Sequence, residues 1–455
     1  MKYLSTRNNK LNKSFKDILF QGLSKDGGLF LPKEWPKINL NELKDKSYEE
    51  VALTIMQPYF DNEVPRNDMN DIICNSYKKF KHPKIAPLVK IDKNRFILEL
   101  FHGPTLAFKD YALQFLGNLL SYFNESNNQN ITILGATSGD TGSAAINAFK
   151  GKKNIKIIIL HPHKKVSDIQ RRQMTTVLDS NVYNIAIEGN FDDCQRIVKE
   201  LFIDKDIQKA TSLTAVNSIN WARIMAQIVY YFWAFIQLDQ KNLSFIVPSG
   251  NFGNIYSARV AKHMGLPINQ LHLVTNQNDM LHKIISIGKM VIQNVQETHS
   301  PSMDIQISSN FERQIFESLK YNSEEVKKIM ESLFTKKSYA FDQNTKKSFQ
   351  DLYRSTSISN ERTLEIIKIF KEKYNYLADP HSATGLSVMH ENNFELPVVS
   401  LGCAHPAKFA SAIKESLGIE PKLPIELEKI LSKEEKMIIL PNNSKNIKQF
   451  ILNII

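Results

Sequence analysis

Lys109 lies near the end of the run His102-Gly-Pro-Thr-Leu-Ala-Phe-Lys109-Asp110, among Leu106, Phe108, Tyr111 and Leu113. Apolar surroundings lower the proton affinity of a lysine, and a neutral amine is a nucleophile toward aldehydes. Taken alone, the run is better explained by a lysine on a solvated helix face. Two Gly-rich turns change that balance. The first is Gly135-Ala-Thr-Ser-Gly-Asp-Thr-Gly142 and the second Ser249-Gly-Asn-Phe-Gly-Asn254, each placed after an apolar run and before a helical pattern. At such turns backbone N–H groups and the positive end of a helix bind anions. Neither turn has the Gly-Lys-Ser/Thr of a P-loop or the spacing Gly-x-Gly-x-x-Gly, which sets ATP and NAD aside. Either turn alone reads equally as a tight strand-to-helix connection. Together they suit a ligand with two anionic groups, a phosphate and a carboxylate. A lysine able to condense with an aldehyde, beside a separate phosphate cradle, is what a pyridoxal phosphate enzyme requires.

The elements that would position these groups are of α/β type. Ile131 to Leu134, Ile155 to Leu160, Val182 to Ile187, Leu243 to Val247, Leu271 to Val274 and Leu396 to Leu401 are short apolar runs that read as strands. Helical patterns at Ser143 to Phe149, Phe191 to Phe202, Trp221 to Leu238 and Ile255 to Met264 follow several of them. Near-continuous apolar strands alternating with helices imply a parallel sheet buried on both faces. From Leu43 to Phe80 the apolar residues Val51, Leu53, Ile55 and Met56 recur at helical spacing. The expected organisation is an N-terminal segment over 1–90, an α/β core of two lobes over 91–275 and 376–430, a mainly helical insertion over 276–375, and a C-terminal segment over 431–455.

Composition narrows the function classes. The 455 residues are 42% hydrophobic and 23% charged, a globular balance that excludes disordered and collagen-like chains. The net charge of +11 is spread without a basic arm, so nucleic acid is not expected and an anionic small substrate suits the charge as well. Cys74, Cys194 and Cys403 lie far apart, which argues against a disulfide framework and for a reducing, cytoplasmic setting. Without a run of 18 or more apolar residues, no membrane partner is expected. The pair His161-Pro-His163 has metal-ligand character but no third ligand near it in sequence, so no metal is expected.

The ordered blocks go further. Ser5-Thr-Arg7, Asp26 to Pro32, His102 to Asp110, Gly135 to Gly142, Gln170 to Thr176, Phe191 to Gln195, Asn217 to Arg223, Pro248 to Asn254, Ser300 to Asp304, Ser309 to Arg313 and Ala404 to Phe409 cover nearly the whole chain. In these blocks the sequence resembles the threonine synthase family, pyridoxal phosphate enzymes of the tryptophan-synthase-like fold type II, and more closely its longer microbial and fungal form. The resemblance implies two open twisted α/β domains. It implies a lyase of threonine biosynthesis that turns O-phospho-L-homoserine and water into L-threonine and phosphate. Lys109 matches the lysine that carries the cofactor and then moves protons. Gly250, Asn251, Phe252, Gly253 and Asn254 match the loop holding the cofactor phosphate, and Thr137, Ser138, Gly139, Asp140 and Thr141 match the loop facing the amino-acid substrate. Asn217 and Arg223, with Ser138, are candidates for the leaving phosphate, although Arg223 reads equally as a partner in a structural ion pair.

One position departs from the family pattern. Where relatives usually have a threonine whose hydroxyl meets the pyridine nitrogen, this chain has Cys403, a weaker hydrogen-bonding group or a tolerated isostere. Asp379-Pro-His381-Ser382 matches another family block, a helix-opening turn with no role assignable from sequence. Two other functions stand beside the leading one: a phospho-lyase or deaminating lyase on the same scaffold, and a non-catalytic binding protein. Monomer and homodimer both remain open.

Overall fold

The structure is a computed structural model that describes residues 1–127, 129–238 and 240–455. Two parallel sheets organise it. The larger has six strands in the order Tyr353–Ser357, Ile268–Thr275, Leu243–Pro248, Val398–Gly402, Arg95–Glu99 and Leu88–Lys90, with only the last pair antiparallel. The smaller has five parallel strands in the order Ile438–Pro441, Val182–Glu188, Ile155–Pro162, Ile131–Ala136 and Ser212–Thr214. Leu243–Pro248 and Val398–Gly402 are buried at every residue, as strands covered on both faces must be.

The helix Trp221–Leu238 is apolar round most of its circumference because it lies inside the molecule, buried continuously from Trp221 to Ala234, with Arg223 and Gln227 as its buried polar residues. It packs against Tyr48–Met56, Lys109–Asn127 and Gly253–His263. Lys109–Asn127 in turn lies against Asp140–Phe149. Their approach is close: a Cβ on Gly117 would come 2.7 Å from the Ala148 carbonyl oxygen. Any side chain at Gly117 would therefore push apart the helix that begins at Lys109 and the helix that begins at Asp140.

Helices Phe191–Phe202 and Trp221–Leu238 have the limits their periodicity implies, and the first is fixed at its start by a reciprocal capping box between Asn190 and Asp193. Several strands extend beyond their apolar runs, to Ala136, Pro162 and Pro248, because ladder pairing rather than hydropathy sets their ends. Other pieces are too short or too polar to stand out in the apolar pattern. Tyr3–Ser5, Asn8–Lys13 and Phe30–Pro32 form an antiparallel sheet in the N-terminal segment. Tyr353–Ser357, inside the stretch 276–375, is an edge strand of the larger sheet. Ser212–Thr214 and Ile438–Pro441 form the two edges of the smaller one, so the C-terminal segment contributes to a lobe of the core. All are short or polar, and edge strands do not need an apolar run.

Candidate active site

The chemistry-bearing loops leave the carboxyl ends of parallel strands, where open α/β sheets bind ligands. Ser249 follows Leu243–Pro248 and Cys403 follows Val398–Gly402 in the larger sheet, while Thr137 follows Ile131–Ala136 in the smaller. Because Val398–Gly402 pairs between Leu243–Pro248 and Arg95–Glu99, residues distant in sequence end side by side. Lys109 is placed by the turn before it. Leu106 has φ +59, the Phe108 N–H donates to the Cys403 carbonyl at 2.8 Å, and the His405 N–H donates to the Leu106 carbonyl at 3.0 Å. Asp110 braces the same turn, accepting from the Thr105 N–H at 2.8 Å and the Thr105 hydroxyl at 2.7 Å. Burial pushes its carboxyl up to about 6 despite these bonds.

Lys109 is 8% exposed. Its Nζ donates to Ser302 Oγ at 3.2 Å, lies 3.9 Å from Asp140 Oδ2, and is 4.8 Å from the centre of the Phe108 ring. Desolvation lowers its proton affinity, the Asp140 charge opposes that, and the Arg223 and Lys408 charges add to the lowering, with the net effect downward. A second buried lysine, Lys408, behaves differently. Its Nζ is 2.6 Å from Asp140 Oδ1 and 2.8 Å from the Thr105 carbonyl oxygen, so two of its three donors are engaged. Burial alone would push the Asp140 carboxyl up, but Lys408 and Lys109 together outweigh it and hold it well below the usual carboxylate range. One carboxylate thus locks one lysine and leaves the other loosely held.

The two Gly-rich turns flank this lysine and expose unpaired donors. In the second turn, the N–H groups of Gly250, Asn251, Phe252, Gly253 and Asn254 make no hydrogen bond among the described residues. Gly250 and Asn251 are half-buried and the other three buried, and the N–H groups opening a helix have no intrahelical acceptor, so this run is free to receive an anion. Phe252, at φ +60, turns the chain into the helix Gly253–His263. Asn254 closes the loop, accepting from the Ser249 hydroxyl at 2.5 Å and donating to the Pro248 carbonyl at 2.8 Å. The Asn251 carboxamide oxygen accepts from the Ser309 hydroxyl at 2.9 Å. In the first turn the Thr137 hydroxyl accepts from the N–H groups of Gly139 and Gly142 at 3.0 and 2.8 Å, which shapes the loop and leaves the N–H groups of Ser138, Asp140 and Thr141 without acceptors among the described residues. Gly139 has φ +143, and a Cβ there would meet the Gln170 side chain at 2.5 Å.

Arg223 is buried. It donates to the Val216 carbonyl at 2.9 Å, its Nε has no partner, and burial brings its guanidinium down to about 10. The structural ion pair that its sequence position also permits is absent among the described residues. Asn217, in contrast, is exposed. Cys403 is buried, and burial followed by the Asp379 charge raises its thiol well above the ordinary range.

Three family models match in sequence: "Threonine synthase N terminus" over residues 2–77, "Pyridoxal-phosphate dependent enzyme" over 80–356 and "Threonine synthase, C-terminal" over 382–451. Threonine synthase of Pseudomonas aeruginosa is 42% identical over 99% of this chain and 98% of its own. That of Saccharomyces cerevisiae is 41% identical, with 96% and 94% covered. The chain belongs to the threonine synthase family. A crystal structure of PLP-bound threonine synthase from Brucella melitensis superposes with a TM-score of 0.96 at 44% identity, covering 100% of this chain and 99% of that one. Maize serine racemase, 14% identical with a TM-score of 0.52, shares the fold alone over 76% of this chain and 97% of its own.

For a threonine synthase, a pyridoxal phosphate enzyme, the fit of the residues to the cofactor rests on the buried lysine of lowered proton affinity and the five unpaired N–H groups. Sequence reasoning missed Ser302, Lys408 and Gln170, whose Nε2 donates to Asp140 Oδ1 at 2.9 Å. All three lie in family blocks, but each reaches the site through a contact made only in the fold. His161 lies buried on Ile155–Pro162, where burial lowers its imidazole to about 4. Among the described residues no His, Cys, Asp or Glu cluster is arranged to hold a metal.

Proposed function

We propose that this threonine synthase acts on O-phospho-L-homoserine, releasing phosphate and adding water to give L-threonine. The observation that carries the reading is Lys109, loosely held and of lowered proton affinity, between two separate clusters of unpaired N–H groups. A substrate with a carboxylate and a phosphate, used with a phosphorylated cofactor, presents three anionic groups to this site. Gly250 to Asn254 would hold the cofactor phosphate with their backbone, with Cys403 at the wall formed by the end of Val398–Gly402. Bound pyridoxal phosphate supplies the electron sink that makes the α and β carbons of an amino acid acidic.

The chain supplies the rest. Lys109 Nζ takes and returns protons at those carbons, and its lowered proton affinity favours the neutral amine that such a base requires. Lys408 cannot share that work while Asp140 Oδ1 and the Thr105 carbonyl hold it. The N–H groups of Ser138, Asp140 and Thr141 receive the substrate carboxylate. The Ser138 and Thr141 hydroxyls, which no other described residue engages, point the loop's remaining hydrogen-bonding capacity at the substrate. Arg223, a buried cation without a carboxylate partner, answers the charge of the departing phosphate, with Asn217 near the exposed end of the same segment. The reaction belongs to an aqueous, reducing compartment such as the cytoplasm. The three cysteines are free, and no described helix is long and apolar enough to cross a membrane.

The test is product stoichiometry. Protein loaded with pyridoxal phosphate and given O-phosphohomoserine should release threonine and phosphate one to one, and Lys109→Ala should make neither. Phosphate accompanied by a keto acid without threonine would instead identify a deaminating lyase.

A further inference from the structure

Asp379 and His381 form a buried pair behind the site, 1% and 3% exposed. An aspartate at the start of a helix needs only to accept backbone N–H bonds, and Asp379 does accept them, from His381 at 2.9 Å and Ser382 at 3.3 Å. It does more than cap. Asp379 Oδ1 also lies 2.9 Å from His381 Nδ1, and Oδ2 accepts from the Ser382 hydroxyl and from the Ala404 N–H at 3.3 Å. The Ser382 hydroxyl in turn accepts from the Cys403 N–H at 2.7 Å. The far side of the imidazole faces the Ser302 N–H, at 3.1 Å from Nε2. A backbone N–H only donates, so Nε2 is bare and the ring proton sits on Nδ1, where Asp379 accepts it. The tautomer is fixed by the contacts on both sides.

These bonds converge on Lys109 by two routes. Ser302 belongs to the single turn Pro301–Met303, which lies so close to the anion cradle that a Cβ on Gly250 would meet Met303 Cα at 3.0 Å and the Ser302 carbonyl oxygen at 3.1 Å. Its hydroxyl accepts from Lys109 Nζ at 3.2 Å. Cys403 and Ala404 hold the backbone just before Lys109, through the Cys403 carbonyl and the bridge between Ala107 and Ala404.

We propose that Asp379 and His381 are positioning residues of the reaction: they fix the Ser302 turn and, through the Ser302 hydroxyl, set the orientation and proton affinity of Lys109. The inference rests on the reading of Lys109 as the cofactor-bearing lysine. Ser302 Oγ accepts from the lysine nitrogen, so it favours the protonated nitrogen, and its removal moves the titration of that nitrogen downward. The charged and titratable groups facing Lys109, namely Asp140, Arg223, Lys408 and Cys403, are left in place by the variants that test this.

The experiment uses holoenzyme in four variants: Ser302→Ala, Ser302→Thr, His381→Gln and the double variant Ser302→Ala with His381→Gln. The pH midpoint of the bound cofactor's visible absorption is the first readout. Ser302→Ala should lower it by about half a unit or more, and Ser302→Thr should restore it. His381→Gln should shift it in the same direction, and the double variant should go no further than Ser302→Ala, because both act along one path. In kinetics kcat should fall about tenfold with KM nearly unchanged. A His381→Gln midpoint equal to that of the parent, or a double variant equal to the sum of the singles, overturns the proposal. Should His381→Gln not fold, the Ser302 pair decides it: an unmoved midpoint in Ser302→Ala overturns it equally. Borohydride reduction and peptide mapping of the parent test the underlying reading separately, since a label on any residue other than Lys109 removes that reading whatever the variants do.

Discussion

Replacing Lys408 by methionine isolates the charge that separates the site's two lysines. The Lys408 side chain is fully buried, and its Nζ is 2.6 Å from Asp140 Oδ1. Methionine keeps the apolar stem and removes the ammonium, leaving Asp140 with the Gln170 amide at 2.9 Å and Lys109 at 3.9 Å. Removing one partner of a buried pair costs about 3–5 kcal/mol, whereas removing both charges is often near neutral. Lys408→Met should therefore lose about 3–5 kcal/mol of stability, and adding Asp140→Asn should recover about half of it or more. Lys109 should respond as well. Lys408 is one of the charges that lower its proton affinity, so the variant should raise the pH at which apo-protein becomes labelled by an aldehyde and borohydride. Urea unfolding near neutral pH, followed by the fluorescence of the buried Trp221 and Trp233, reads the stability. A loss below about 1 kcal/mol, or single losses that simply add in the double variant, would show that Asp140 does not depend on Lys408.

Further expectations follow from other contacts. Gly250→Val should weaken cofactor binding by about tenfold or more, because even a Cβ there meets Met303 Cα at 3.0 Å and overpacking of this kind costs about 1–3 kcal/mol; titration of apo-protein with pyridoxal phosphate measures it. Cys403→Thr exchanges a poor hydrogen-bonding group for a good one at similar volume, so cofactor affinity or turnover should move a few-fold to about tenfold, and an unchanged variant would place the Cys403 side chain away from the cofactor. The Arg171 bond holds Glu435 down at about 2 against the cost of burial, with help from Thr175 and Arg172. A depressed carboxylate contributes stability above its ordinary pKa and loses it as pH falls toward the folded value. Glu435→Gln should thus be about 1.5–3 kcal/mol less stable near neutral pH, with the difference shrinking below about pH 4.3, as unfolding at several pH values would show.

What the sequence made legible was local. The turns Gly135 to Gly142 and Ser249 to Asn254 announce themselves because glycine, hydroxyl and amide residues stand together, and the helix Trp221–Leu238 because its apolar run is long. Tyr353–Ser357 reads as polar because an edge strand has one neighbour and a half-exposed face, and Asn8–Lys13 for the same reason. The contacts that set the chemistry are distant in sequence. Lys109 and Ser302 are 193 residues apart, Thr105 and Lys408 303 apart, and Ser302 and His381 79 apart. No spacing rule joins such residues. They meet because Val398–Gly402 enters the middle of the larger sheet late in the chain and brings Cys403 to Lys408 alongside the turn before Lys109.

The charge arrangement of the site gives this late strand its chemical meaning. Lys109, Lys408 and Arg223 are buried close enough to act on one another, and Asp140 is the carboxylate that faces both lysines. Asp110 and Asp379 are buried nearby, but each is engaged by the turn it braces, and Arg223 has no carboxylate partner among the described residues. Anionic ligands supply the missing partner, and the unpaired N–H groups on either side supply the positions. Asp140 discriminates between the two lysines. It binds Lys408 at 2.6 Å and stands 3.9 Å from Lys109, so one lysine is held in a direct ion pair and the other is not. A shorter contact to Lys109 would hold that amine protonated, and a weaker hold on Lys408 would leave two lysines competing for the same carbonyl chemistry. On the proposed reading, the unequal distances from one carboxylate are what single out Lys109 from Lys408.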